Sequence, residues 1–230
     1  MKIVVIGGTG VLGSKVVDKL RDHGDEAVAA SPKTGVNTLT GEGLADALSD
    51  ADVVVDASNS PSFDDDPAME FFTKSTTNLL AAAKAAGIKN YVAMSIVGSD
   101  ELPESGYMRA KVAQEKLITE SDLPYSIVRA TQFAEFAEAI TESMVVGDEV
   151  RVPDALIQPI ASADLATEVA RVAEGEPLGG IKEVGGPEKI SFEQMAREVL
   201  TRQGDNKPVV VDPQVAYFGA PLARDSLVTA

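Results

Sequence analysis

Cysteine and tryptophan are absent, histidine occurs once, and cations are outnumbered by acids. Without cysteine there can be no disulfide, no thiol nucleophile and no thiolate metal site. A lone His23 leaves nothing for a histidine metal cluster or a Ser-His-Asp triad. Its place in the last turn of the first predicted helix, just before Gly24, suits a cation that complements the helix dipole. Twenty basic and 36 acidic residues in 230 give a formal charge of −16. Such a surface repels a phosphate backbone, and no basic cluster interrupts it, so no nucleic-acid partner is expected. The longest apolar stretch, around Leu79–Ile88, carries Lys84 and is too short to span a bilayer, so no membrane role is expected either. The opening MKIVVIGG breaks at its glycines after four apolar residues and leads into an amphipathic helix, unlike a signal peptide. These features together predict a cytoplasmic protein.

What is present is an alternation of short apolar runs and amphipathic helices. Strands are expected at Lys2–Ile6, Glu26–Ala30, Asp52–Asp56, Lys89–Met94 and Pro124–Arg129. Helices are expected between them: one with Leu12, Val16, Val17 and Leu20 on one face, a short one at Gly43–Leu48, a long one over Met69–Ala86, and one at Tyr107–Ser121. Strands joined by helices of this length require parallel pairing with right-handed crossovers, which is a Rossmann-type doubly wound α/β fold. After Arg129 the rhythm loosens into a helix near Phe133–Met144 and extended runs at Glu149–Val152 and Leu156–Ile160. A helix capped by Ser162, a helix opened by a Ser191–Gln194 capping box and an extended Val209–Val211 follow. Residues 1–230 are therefore expected to form one domain, with 131–230 adding the last sheet elements and a small cap on the substrate side. Asp64–Asp66 reads as a short, solvated acidic loop, and Phe71 and Phe72 as core residues of the long helix.

The first strand runs into Gly7-Gly8-Thr9-Gly10-Val11-Leu12-Gly13. Glycine is needed at the tight turn, where the backbone meets a pyrophosphate, and where helix packs on strand. The helix opening at Val11 aims free N–H groups and its positive dipole end at the phosphates. Strand before, helix after, within the first βαβ unit: this context marks a dinucleotide site. NAD-binding chains usually carry Asp or Glu at the end of the second strand, whereas here it reads Ala29-Ala30-Ser31-Pro32-Lys33. Ser31 and Lys33 suit a 2′-phosphate, so NADP is favoured over NAD, against the plain alternative of a solvated loop lysine. Asn37 is expected beside the adenine, and Ala57, Ser58 and Asn59 at the end of the third strand would let the riboses approach the backbone, against the plain alternative of an ordinary loop.

Tyr107 and Lys111 stand four residues apart, on one face of a helix. An ammonium near a phenol lowers the phenol pKa, which would make Tyr107 a general acid toward a carbonyl. Ser95, closing the fourth strand, would hold the substrate oxygen. The glycine loop, the Ser95 strand end, Tyr107-x-x-x-Lys111 and Ile127-Val128-Arg129-Ala130-Thr131-Gln132-Phe133, with Val184-Gly185-Gly186-Pro187-Glu188 further on, together resemble the short-chain dehydrogenase/reductase superfamily. More narrowly, the chain is similar to its atypical, NmrA-like branch. The resemblance implies that Gly7, Gly10 and Gly13 line the pyrophosphate, with contacts from Thr9, Val11 and Leu12. It implies that Lys111 binds the nicotinamide ribose and tunes Tyr107, that Ser95 orients the carbonyl, and that Ala130 and Thr131 lie near the carboxamide. Phe133 would help to wall the substrate pocket. The function expected is an NAD(P)H-dependent oxidoreductase that transfers hydride to a small carbonyl- or quinone-like substrate. The rival is a non-catalytic NADP(H)-sensing regulator that acts through a protein partner.

Overall fold

Strand β1 (Lys2–Ile6) buries Ile3 to Ile6 almost completely, as a parallel strand covered on both faces requires. Along the chain follow α1 (Val11–Asp22), β2 (Glu26–Ala30), α2 (Leu44–Leu48), β3 (Val53–Asp56), α3 (Asp65–Ala86), β4 (Asn90–Ile96), α4 (Gly106–Thr119) and β5 (Tyr125–Ala130). The computed structural model describes residues 1–230. Its second half comprises α5 (Ala137–Ser143), β6 (Val145–Val146), β7 (Glu149–Val152), β8 (Leu156–Ile157), α6 (Ser162–Glu174), β9 (Gly180–Val184), β10 (Ile190–Ser191), α7 (Phe192–Gln203) and β11 (Val209–Val211). Six strands pair in parallel in the order β2-β1-β3-β4-β5-β9. The order reverses between β1 and β3, where open α/β sheets take ligands beyond the carboxyl ends of their strands. The doubly wound fold read from the sequence is thus the fold observed.

Side-chain alternation along the strands divides the core in two. Ile3 and Val5 pack with α1 and α6 on one face, while Val4 and Ile6 pack with α2, α3 and Ile118 of α4 on the other. A third cluster joins Phe72 of α3 and Tyr107 and Met108 of α4 to Val150, Phe192, Met195 and Tyr217 of the second half. The small β11-β7-β6 and β10-β8 sheets therefore rest against the starts of α3 and α4.

Several local expectations change. Helix α3 begins at Asp65, so Asp64–Asp66 is a helix start and not a loop: Asp64 stands at the N-cap and Asp65 and Asp66 in the first turn. Carboxylates are favourable there, and Asp65 also pairs with Arg109 at 2.8 Å. Ser162 is the first residue of α6 and not its cap. The carboxylate of Glu135 takes that place, accepting the Ser162 N–H at 3.1 Å and its hydroxyl, with Lys15 of α1 at 3.0 Å. Burial works against that carboxylate, but these hydrogen bonds outweigh it and hold Glu135 at about 2. The Ser191 hydroxyl does cap α7 through the Gln194 N–H at 3.0 Å, but the Gln194 amide turns to Glu198, so half the capping box forms. His23 follows α1 directly and meets Glu174 of α6 at 2.7 Å. Only Leu156 and Ile157 of the run to Ile160 are strand, and the helix near Phe133 opens as a 3-10 turn over Ala134–Phe136.

Candidate functional site

The glycine loop is wedged between the ends of β1 and β3. Gly7 has a φ of +72°, and a Cβ there would lie 2.7 Å from the Ala57 carbonyl oxygen. At Gly13 a Cβ would lie 2.2 Å from the Gly7 oxygen, so α1 approaches the loop as only glycine allows. Gly8 is buried, and Gly10 forms the N-cap. The N–H groups of Val11, Leu12 and Gly13 make no hydrogen bond within the protein, and Gly10 and Val11 are exposed. A row of free donors at a positive helix end is an anion seat.

At the end of β2 the Thr9 hydroxyl donates to Ser31 Oγ at 3.1 Å, tying that strand end to the glycine loop. The Ser31 N–H donates to Thr34 Oγ1 at 2.9 Å and opens the 3-10 turn Pro32–Thr34, on which Lys33 stands exposed. No carboxylate occupies this strand end. The Asn37 side-chain carbonyl accepts the Leu39 N–H at 2.9 Å and the Thr40 N–H at 3.3 Å, so it organises its own turn and leaves its amide N–H groups as what it can offer a base.

Beyond β3, Asp56 is 1% exposed. A carboxylate so buried must be hydrogen-bonded, and it accepts from Ser58 Oγ at 2.6 Å, Tyr91 Oη at 3.2 Å and Gln114 Nε2 at 3.1 Å. The Ser58 hydroxyl is thus engaged inward, while Ala57 lies under Gly7. Asn59 is exposed, and its side-chain oxygen accepts the Tyr107 hydroxyl at 2.6 Å. The segment Ala57–Asn59 therefore links the glycine loop to Tyr107.

Tyr107 and Lys111 share a helix face, as their spacing predicts, but the lysine does not tune the phenol. Lys111 donates to the Met94 carbonyl at 2.8 Å and to Gln114 Oε1, and its ammonium lies 4.2 Å from the Phe72 ring centroid. Met94 lies on β4, and Gln114 lies three residues on along α4 itself. Burial brings Lys111 down from 10.5 to about 8, with Asp56 and Glu115 opposing the fall. Burial pushes Tyr107 the other way, up to about 12, with the Asn59 hydrogen bond only partly offsetting it. The expected lowering of the phenol is therefore reversed. With 4% of its surface exposed, Lys111 ties α4 to β4.

Ser95 lies on the same face of β4 as Tyr91 and Ala93, the face covered by α3 and α4. Its hydroxyl is buried and has no hydrogen-bond partner, which is costly unless something else uses it. Ala130, ending β5, is packed in the core beneath α1 and α6. Thr131 gives its hydroxyl to the Gln158 carbonyl, leaving that hydroxyl no proton for a carboxamide. Gln158 in turn donates to the Gly186 carbonyl at 2.7 Å and accepts the Thr229 N–H at 3.0 Å.

Spacing alone did not reveal the buried supports. Arg129 forms a two-pronged pair with Glu115 at 2.9 and 2.7 Å and reaches Asp100 at 2.9 Å. Asp56 was signalled by a charge closing an otherwise apolar strand, a position that burial makes untenable without partners. A cleft of about 640 Å3 between α5 and α7 is lined by Ala134, Ala137, Ile190, Gln194 and Met195, away from the glycine loop, Ser95 and Tyr107. The convergence at the sheet edge, and not this cleft, defines the candidate site.

A family model for NAD(P)H-binding proteins matches residues 7–175. The chain belongs to this NAD(P)H-binding family. The photosystem II assembly factor Ycf39 of Synechocystis sp. is 32% identical over 147 residues, which are 58% of this chain and 45% of that protein. The chain spans about half the length of the curated relatives it matches. Among solved structures, a Thermus thermophilus UDP-glucose 4-epimerase in complex with NAD superposes with a TM-score of 0.72 at 17% identity, covering 96% of each chain. An NADPH-dependent quinone oxidoreductase from Escherichia coli, complexed with NADPH, gives 0.70 at 24% identity, over 91% of this chain and 77% of that one. These two likenesses establish the fold. No helix of this NAD(P)H-binding protein is long and apolar enough to cross a membrane.

Proposed function

We propose that this NAD(P)H-binding protein is a reductase that prefers NADP(H) and acts on a small carbonyl- or quinone-like compound. The N–H groups of Val11, Leu12 and Gly13 would hold the pyrophosphate over Gly7, Gly8 and Gly10, and Ser31 with Lys33 would receive the 2′-phosphate. When bound, the cofactor supplies hydride chemistry. Tyr107 holds its proton throughout the physiological range, because burial has raised it to about 12. It is therefore present in the protonated form that a donor needs, although as a weaker acid than a free phenol. Ser95 offers a hydroxyl to the substrate oxygen. The observation that carries this reading is that hydroxyl: a buried, unpartnered donor on the face of β4 that α4 covers.

The second reading is a non-catalytic, cofactor-responsive protein that acts through a partner. It is favoured by the tethering of Lys111 to Met94 and Gln114, away from the phenol, and by the likeness to an assembly factor. One set of measurements separates the two. NADPH and NADH are titrated into the wild type and Lys33→Ala, and turnover of a carbonyl and quinone panel is compared with Tyr107→Phe. The reductase reading expects tighter NADPH binding, a gap that Lys33→Ala narrows, and a loss of about 100-fold in turnover in Tyr107→Phe with cofactor affinity unchanged. Equal loss of both nucleotides in Lys33→Ala overturns the 2′-phosphate assignment. Undiminished turnover in Tyr107→Phe overturns the catalytic one.

A further inference from the structure

Tyr107 is roofed by aromatic rings from distant parts of the chain. Phe72, wholly buried, lies edge-on at 5.9 Å and belongs to the core. Phe63, just before α3, lies at 5.1 Å, and Phe218 lies at 5.5 Å with its ring only 20° from parallel. These two touch each other at 5.5 Å, yet Phe63 is 55% and Phe218 40% exposed. Both rings pack on Tyr107, which is itself buried, while the exposed Asn59 takes its hydroxyl.

Phe218 sits at the tip of a two-residue turn. Tyr217 and Ala220 exchange both backbone hydrogen bonds, at 2.8 and 3.0 Å, and Phe218 and Gly219 between them have φ values of 49° and 79°. Two positive φ values mark the type I′ hairpin turn, whose preferred filling is Asn-Gly. Phenylalanine at the first position is strained, and the turn itself has no use for a ring. The stem is firm: Tyr217 and Ala220 are buried, and Tyr217 packs on Phe192 at 5.7 Å. Against that strain, about 1–2 kcal/mol, stand the ring contacts of Phe218 with Tyr107, with Phe63 and, at 4.8 Å, with Tyr217. The closed position is thus a strained turn held shut by ring contacts on a fixed base.

We propose that Phe218 is a gate residue: its turn swings the ring off Tyr107 to admit substrate, and the vacated face selects a flat aromatic carbonyl compound. Opening forfeits the stack and bares one face of the phenol ring. A flat aromatic ligand restores that contact, whereas a globular aliphatic one does not. The substrate part rests on the reading of Tyr107 as facing substrate; the gate can be tested without turnover.

Phe218→Asn removes the ring and supplies the residue this turn prefers, so the stem is expected to hold. Tyrosines of the full chain are nitrated with tetranitromethane and mapped by mass spectrometry, and no cysteine is present to consume the reagent. Tyr107 should react about tenfold faster in Phe218→Asn. Tyr91, fully buried and bonded to Asp56, should stay unmodified in both proteins. Equal rates at Tyr107 overturn the gate, as does a parallel rise at Tyr91, which would report general loosening. In Phe218→Asn, 2-naphthaldehyde should then slow Tyr107 nitration about fivefold and 2-adamantanone should not. Equal protection by both overturns the selection for flat rings. Protection by neither, with nitration still accelerated, upholds the gate and overturns the substrate reading of Tyr107.

Discussion

Lys111 makes the stability of this protein depend on alkaline pH in an unusual direction. Burial holds its ammonium at about 8, against 10.5 for a free lysine side chain. Between these two values the unfolded chain binds the proton more tightly than the folded one, so stability rises with pH across that window. Below pH 8 the charged, buried ammonium is a penalty of about 3 kcal/mol, since each pH unit between the two titrations corresponds to about 1.4 kcal/mol. Between pH 7 and pH 9.5 about 2 kcal/mol of it should be relieved. Lys111→Met keeps the length and the apolar stem while removing the titration. Urea unfolding of both proteins at intervals over that range gives a difference curve in which groups common to both cancel. The wild type should gain on the variant as pH rises. A flat or falling difference would mean that Asp56 and Glu115 hold the ammonium more strongly than burial disfavours it, and would refute the account.

Gly13→Ala would bring a Cβ to 2.2 Å from the Gly7 oxygen. It should cost about 1–3 kcal/mol in urea unfolding and weaken NADPH binding by calorimetry, and unchanged affinity would remove the loop as the pyrophosphate seat. Glu115→Gln removes the carboxylate charge and one of the two prongs that Arg129, whose side chain is 9% exposed, makes with it, leaving the half-exposed Asp100 as the only counter-charge. Breaking such a buried pair should cost about 3–5 kcal/mol in the same assay, and a loss well under 1 kcal/mol would show that Asp100 takes over.

The parallel core was legible because β1 and β3 are short, nearly unbroken apolar runs, and because α1 repeats its apolar residues at helical spacing. Strand β9 was not. It reads Gly-Ile-Lys-Glu-Val, lies at the sheet edge, and leaves Ile181 48% exposed, so its charges mask it as edge strands commonly do. The helix face shared by Tyr107 and Lys111 was also legible, since spacing determines the face. Which acceptor the ammonium meets depends on Met94, Gln114 and Phe72, brought in by tertiary packing that spacing does not encode. The same limit hid Phe218, which stacks on Tyr107 from a turn far along the chain, and Glu135, which caps a helix it does not belong to.

Gln158 joins Thr131, at the end of β5, to Gly186 and to Thr229. A ribosome delivers these residues in order, so the central sheet can form well before Thr229 emerges. Until then the Gln158 side-chain oxygen lacks both the Thr229 N–H and the Thr229 hydroxyl, and a buried acceptor left unmet costs about 1–3 kcal/mol. The edge that carries the candidate site is therefore completed late in synthesis, after the sheet that supports it.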